Sequence, residues 1–248
     1  MREYKTAGSI RAGFEYQDLV AIETLIDFYR DRTRYAWVKV EAEDKGFRAI
    51  DDVVACRPDG RYELTQVKFA VDPQNDRTPL GWEWLLVKKP RGTSMLQKWF
   101  ATTLAQHRAG TLASAKLRTG RIPDAGFAAS LAGKHIDYDR VAAVMRARLE
   151  AEVGPAAELR LFFGLFEFHN SEPHRDDLAA TLWARIASDT DSGGWALFQD
   201  QVAKWATRKN LPAPDGRIRY IHLQQAFAVE RPTPIPQGFR VPDDYSVP

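Results

Sequence analysis

With 248 residues, 44% of them hydrophobic and 27% charged, the chain has the composition of an ordinary globular protein large enough to bury a sizeable core. Its single cysteine, Cys56, excludes a disulfide framework and a multi-cysteine zinc site, and makes a reducing, cytoplasmic setting the expected one. The formal net charge of +2 neither demands nor excludes nucleic acid, no segment is apolar enough to span a bilayer, and no apolar signal region follows the charged first residues.

Residues 1–12 are polar and read as a loose lead-in. A helix is expected from near Phe14, because Phe14, Leu19, Ile22, Ile26 and Tyr29 recur at near-helical spacing. Three strand-like runs follow: Tyr35 to Val40, Ala49 to Cys56 and Tyr62 to Phe69. Pro58-Asp-Gly60 between the last two is a strong turn signal and predicts an antiparallel hairpin. Ser94 can cap a helix running to about His107. Ala115 to Thr119 reads as a fourth strand, and Asp137 or Asp139 opens a helix that closes near Gly154-Pro155. The near-continuous apolar run Leu159 to Phe168 predicts a buried central strand. Arg175–Ala187 and Trp195–Thr207 predict two further helices. From Arg231 onward, Pro232, Pro234, Pro236, Pro242 and Pro248 predict an extended arm or a linker to a further domain. The expected organisation is one domain over 1–230 and a proline-rich segment over 231–248.

Chemistry concentrates in the hairpin. Strand side chains alternate faces, so Gln66 and Lys68 point one way while Glu63, Thr65 and Val67 point the other. On the preceding strand Asp52 shares a face with Ile50 and Val54, and Asp51 takes the opposite one. Two adjacent aspartates inside an apolar run are poor strand formers, and a lysine two residues after a glutamine is unexpected in a core. Such groups are tolerated when they pair with each other or with a metal. A hard divalent cation, Mg2+ or Mn2+, suits this set, with Asp52 supplying a carboxylate, Gln66 a side-chain oxygen, Val67 its backbone carbonyl, and Asp51 a second carboxylate. Lys68 would orient or deprotonate a metal-bound water, or stabilise charge developing on a phosphate. Glu41 and Glu43, just upstream, read as solvated, with a metal contact from one of them as the alternative.

An aspartate followed by a hairpin and Gln66-Val-Lys68 resembles the PD-(D/E)XK nuclease superfamily, in the variant where glutamine replaces the second acid. Arg11-Ala-Gly-Phe-Glu-Tyr-Gln-Asp-Leu19, Asp51-Asp-Val-Val54, Leu64-Thr-Gln-Val-Lys68 and the Trp99-Phe100 helix are similar to one branch of it. That branch supplies the double-stranded-DNA endonucleases of CBASS and the N-terminal effectors of antiviral STAND NTPases. Ala115-Lys-Leu-Arg-Thr-Gly-Arg121 resembles that branch's strand ending in Thr-Asn-Arg, with Gly120 in place of Asn. The resemblance covers about residues 8–140. It implies an α/β (α+β) fold with a restriction-endonuclease-like central mixed sheet flanked by helices. It also implies metal-dependent cutting of double-stranded DNA, within a homo-oligomer or a larger NTPase or sensor assembly. In the superfamily a first-helix acid or amide often completes the site; the register assigns Gln17 to that position, while Glu15 points elsewhere.

Lys88, Lys89 and Arg91 are the candidate phosphate contacts, flanked by Trp82 and Trp84. The chain has no P-loop and no nucleophile elbow, and its histidines lack zinc-ligand spacing. The rival expectation is a catalytically degenerate module that keeps the nuclease fold for nucleic-acid binding or oligomerisation, supported by the missing second acid.

Overall fold

The computed structural model describes residues 7–70, 78–88, 90, 92–209 and 211–227, with side chains from residue 12 onward. Helix α1 (Ala7–Arg30) leads into strands β1 (Trp37–Val40), β2 (Val53–Cys56) and β3 (Tyr62–Val67). Helices α2 (Trp82–Leu86) and α3 (Met95–Arg108) precede β4 (Leu112–Arg118). Next come α4 (Ala125–Ser130), a small hairpin of β5 (Leu131–Ala132) and β6 (His135–Ile136), α5 (Ala143–Glu152), α6 (Ala156–Leu165) and β7 (Phe166–His169). The described chain closes with α7 (Arg175–Ile186), α8 (Ser192–Ala206) and α9 (Tyr220–Phe227).

The main sheet has the order β1-β2-β3-β4-β7. Its first three strands form an antiparallel meander, and β4 and β7 add in parallel. Pro58-Asp-Gly60 makes the β2–β3 turn, with Gly60 at φ 83°, a conformation open to glycine at no steric cost. This mixed sheet flanked by helices is the α+β architecture that the sequence led us to expect.

Alternation splits the sheet into two unlike faces. Val54, Leu64, Leu117 and Phe168 join an apolar core with Trp82, Leu85, Trp99, Phe162 and Phe163 from α2, α3 and α6. On the other face Val38, Val53, Ala55 and Val67 pack with Tyr16, Val20 and Leu25 of α1, whose far side is covered by α7 and α8. Ser94 forms the expected capping box on α3: its hydroxyl accepts the Gln97 N–H at 3.2 Å and its N–H donates to the Gln97 side chain at 2.8 Å. Asp124 caps α4 through the Phe127 N–H at 2.7 Å, and its carboxylate occupies the space that a Cβ on Gly81 would need.

Four expectations are corrected. Helix α1 begins at Ala7, not near Phe14; Gly8 and Gly13 weaken it, but packing further along the helix carries it. Strand β2 begins at Val53, not Ala49, because Ala49 sits at φ 79° and turns residues 50–52 out of the ladder. The helix expected from Asp137 or Asp139 starts with an isolated 3-10 turn at Tyr138–Arg140, and α5 itself begins only at Ala143. The run Leu159 to Phe168 is not one strand. Its first part belongs to α6, with Leu159, Phe162 and Phe163 buried and Arg160, Leu161 and Gly164 exposed, a helical period; the strand is confined to Phe166–His169. The sequence also led us to expect helical structure resuming after Leu80, where α2 lies, whereas α4 and α9 had no expectation. The proline-rich segment lies outside the described residues.

Phe163 is fully buried among the rings of Trp82, Tyr138, Phe162 and Phe168, at centroid distances of 5.9, 6.2, 5.1 and 6.5 Å. Phe163→Ala is expected to cost about 3–5 kcal/mol in urea unfolding, as large cavities in aromatic cores do. A loss below about 1 kcal/mol would contradict the packing of α6 against the sheet.

Candidate active site

The site begins where β2 leaves the ladder. The β2–β3 register ends at Val53↔Thr65, so the next N–H of β3 facing that side, that of Val67, meets no β2 strand. Asp52 takes it instead: its Oδ2 accepts the Val67 N–H at 2.6 Å. The same oxygen accepts a hydrogen bond from the Gln66 side-chain Nε2. That orientation leaves the Gln66 side-chain oxygen as an acceptor. Lys68 Nζ stands 4.0 Å from Oδ2, and its side chain is 39% exposed while that of Asp52 is 9% exposed. The Lys68 backbone is pinned on its far side, donating to the Arg118 carbonyl at 2.9 Å and accepting from the buried Thr119 hydroxyl at 2.5 Å. One end of β3 thus presents a buried carboxylate, a buried amide and a half-exposed ammonium.

Two further segments reach the same place. Beyond β1, the Glu41 N–H donates to the Asp52 carbonyl at 3.0 Å and the Ala42 N–H to the Asp51 carbonyl at 2.8 Å. Glu41 is held at φ 50°, a left-handed conformation unusual for glutamate. Its side chain accepts a hydrogen bond from Gln17 of α1. Gln17 therefore reaches the site through Glu41. Glu15 turns away and pairs with Arg175 of α7 at 2.6 Å, and Glu43 is spent on Arg208 at the surface.

Electrostatics follow from burial. Burial raises the Asp52 carboxyl to about 7; Lys68 and the Val67 N–H pull it down, while Glu41 and Asp51 push it up. Glu41 and Asp51 are also raised, each by burial first. Asp18 of α1 is raised to about 6 by burial and then by Glu41 and Glu15. Three of these carboxylates, Asp52, Glu41 and Asp51, thus lie within electrostatic reach of Lys68, and Asp18 is coupled to the group through Glu41. Among the described residues, however, no three His, Cys, Asp or Glu side chains converge tightly enough to cage a metal ion.

No protein-family model matches the chain, and no curated protein does.

Of the residues singled out in the sequence, Asp52, Gln66, Val67 and Lys68 meet at one point, Asp51 lies beside them, and Gln17 touches the group through Glu41. Lys88 does not join: it is paired with Glu152 of α5 at 2.8 Å, so its charge is already matched. Lys89 and Arg91 lie outside the described residues. Trp82 is buried on Phe127 and Phe163, and Trp84 carries the Arg121 guanidinium 5.0 Å above its ring, so neither is a free stacking platform. Sequence reasoning underrated Glu41 and passed over Asp18. The only linear signal for Glu41 is its position directly after a strand.

The Asp52 shift has a definite consequence for stability. The folded chain holds a proton at Asp52 up to about pH 7, whereas the unfolded chain releases it near the ordinary 3.8. The native state therefore binds more protons between those values, and stability falls as pH rises through that window. Relative to Asp52→Asn, the wild type is expected to lose stability from pH 4 to pH 7, with a slope approaching about 1.4 kcal/mol per pH unit. Urea unfolding of both proteins across this range checks it; parallel curves would refute a buried, proton-holding Asp52.

Proposed function

We propose that the chain is a divalent-metal-dependent endonuclease that hydrolyses phosphodiester bonds, with double-stranded DNA as its substrate. The observation that carries this reading is the meeting of Asp52, Gln66 and Lys68 at the open end of β3, with Glu41, just past the end of β1, bonded to the Asp52 carbonyl. A buried carboxylate held near neutrality suits a cation, which would compensate the charge that burial penalises.

The donor set fits one kind of metal. Magnesium and manganese prefer oxygen, and magnesium is commonly held by one or two carboxylates together with waters and substrate phosphate. Asp52, the Gln66 side-chain oxygen and the Val67 carbonyl are the candidate donors, with Asp51 or Glu41 as a second carboxylate. Bound there, the ion would polarise a phosphoryl oxygen and acidify a water. The chain's own groups do the rest. Lys68, half exposed beside Asp52, holds positive charge where the attacked phosphate gains negative charge, and can order or deprotonate the attacking water. Gln17 fixes the Glu41 side chain, and the Thr119–Lys68 bond fixes the backbone that aims the ammonium. This function would place the chain among the restriction-endonuclease-like effectors of anti-phage defence, working as a homo-oligomer or within a larger NTPase or sensor assembly.

A second reading, a catalytically silent module for nucleic-acid binding or assembly, is favoured by the lack of a three-ligand acidic cage among the described residues. Nicking of supercoiled plasmid with magnesium or manganese separates the two, using the protein both alone and held in oligomers by a fused dimerisation module. Lys68→Ala is expected to lower the cleavage rate about 100-fold or more with an unchanged melting midpoint, and Glu41→Gln to lower it about tenfold. Cleavage that survives Lys68→Ala would overturn the assignment; no cleavage in any assembled state would leave the silent module as the better account.

A further inference from the structure

The opposite face of the same hairpin carries a second feature, independent of the phosphodiesterase reading. Between α1 and the sheet lies a cavity of about 230 Å3. It is walled by Glu23, Thr24 and Asp27 on the helix side and by Thr65, Lys116 and Arg118 on the sheet side. A helix–sheet interface is ordinarily filled with apolar side chains. Here the apolar filling continues past β2 only at Val67, and β3, β4 and β7 otherwise present polar groups to the cavity.

The carboxylates around this cavity are already matched. Glu23 bonds Arg118, which also bonds Glu172. Asp27 takes Arg185 at 2.5 Å and Arg34 at 3.2 Å. Glu63 takes Arg57 at 2.7 Å and the Tyr35 hydroxyl at 3.1 Å. Burial alone would raise Glu172, just outside the lining, but His169 and Arg118 outweigh it and hold the carboxyl at about 2, so it stays ionised and paired with the wall's Arg118.

Two groups are left over. Thr65 and Lys116 are direct partners in the β3–β4 register, so their side chains stand next to each other on the cavity face. Thr65 is only 4% exposed, and no hydrogen bond is made by its hydroxyl among the described residues. The Lys116 ammonium likewise has no ion pair there; it acts on Glu167 only at a distance, and Glu167 is bound to His169 at 2.6 Å. By formal charge the lining is balanced, Glu23, Asp27 and Glu63 against Arg34, Lys116 and Arg118, but among the described residues the Lys116 ammonium is the cation of this wall that holds no direct partner, and a hydroxyl donor lies beside it.

We propose that this cavity binds a small oxyanion, a phosphate group either free or at the head of a small metabolite, between the Lys116 ammonium and the Thr65 hydroxyl. A hydroxyl donor beside an ammonium is a pairing that recognises phosphate oxygens. The volume lies below the roughly 300–1,000 Å3 of pockets for drug-sized ligands, so a dinucleotide or an oligonucleotide is excluded.

Calorimetric titration with inorganic phosphate and with glycerol 3-phosphate tests this. The full chain is used, free of divalent metal and at fixed ionic strength. Saturable binding is expected, weakened roughly tenfold or more by Lys116→Met, several-fold by Thr65→Val, and largely restored by Lys116→Arg. Lys68→Met, on the opposite sheet face, should leave it within about twofold. Tighter binding of glycerol 3-phosphate would assign the site to a phosphorylated metabolite, and equal binding to the phosphate group alone. Absence of saturable binding, or loss with Lys68→Met and retention with Lys116→Met, would overturn the proposal.

Discussion

Everything at the candidate active site depends on one carboxylate oxygen standing in for a missing backbone carbonyl. When β2 turns out of the ladder at Asp52, the Val67 N–H of β3 loses its strand partner, and a buried, unpaired N–H is costly. Asp52 Oδ2 fills the gap and collects the Gln66 amide as well. The carboxylate is then locked in place, deeply buried, with Lys68 across from it. Its elevated proton affinity and its suitability for a cation both follow from this geometry, as does the shortness of β2.

Much of this was legible in the sequence, because it is local. Alternation assigns Gln66 and Lys68 to one face, the Pro-Asp-Gly turn joins the two strands, and adjacent aspartates advertise a break in an apolar run. The capping box at Ser94 and the α7 and α8 periodicities are equally local. What could not be read depends on the chain meeting itself. Glu41 becomes part of the site only because its backbone adopts a left-handed turn and α1 brings Gln17 against it. Asp18 matters only because the same helix lies beside Glu41. The segment Leu159 to Phe168 was misread because a run of apolar residues carries little period: leucine and phenylalanine fill a helix face and a buried strand alike, and only the exposed Arg160 and Gly164 betray the turn.

The sheet divides its labour between two faces. One is apolar from β2 to β7 and supplies the packing of α2, α3 and α6. The other is apolar over β1, β2 and Val67, then polar or ionic across the rest of β3, β4 and β7. Helix α1 lies over both halves of that second face, so a single rigid element touches the site at Gln17 and walls the polar cavity at Glu23 and Asp27.

The seat of the Asp124 carboxylate over Gly81 has an implication for how this sequence is free to drift. A side chain at position 81 would press on the Asp124 carboxylate and force it to shift at its post at the start of α4, loading the cap it gives the Phe127 N–H. A smaller residue at position 124 would remove that conflict, so the cost of a side chain at position 81 depends on what stands at 124. Two sites far apart along the chain share one volume, and their substitutions are coupled.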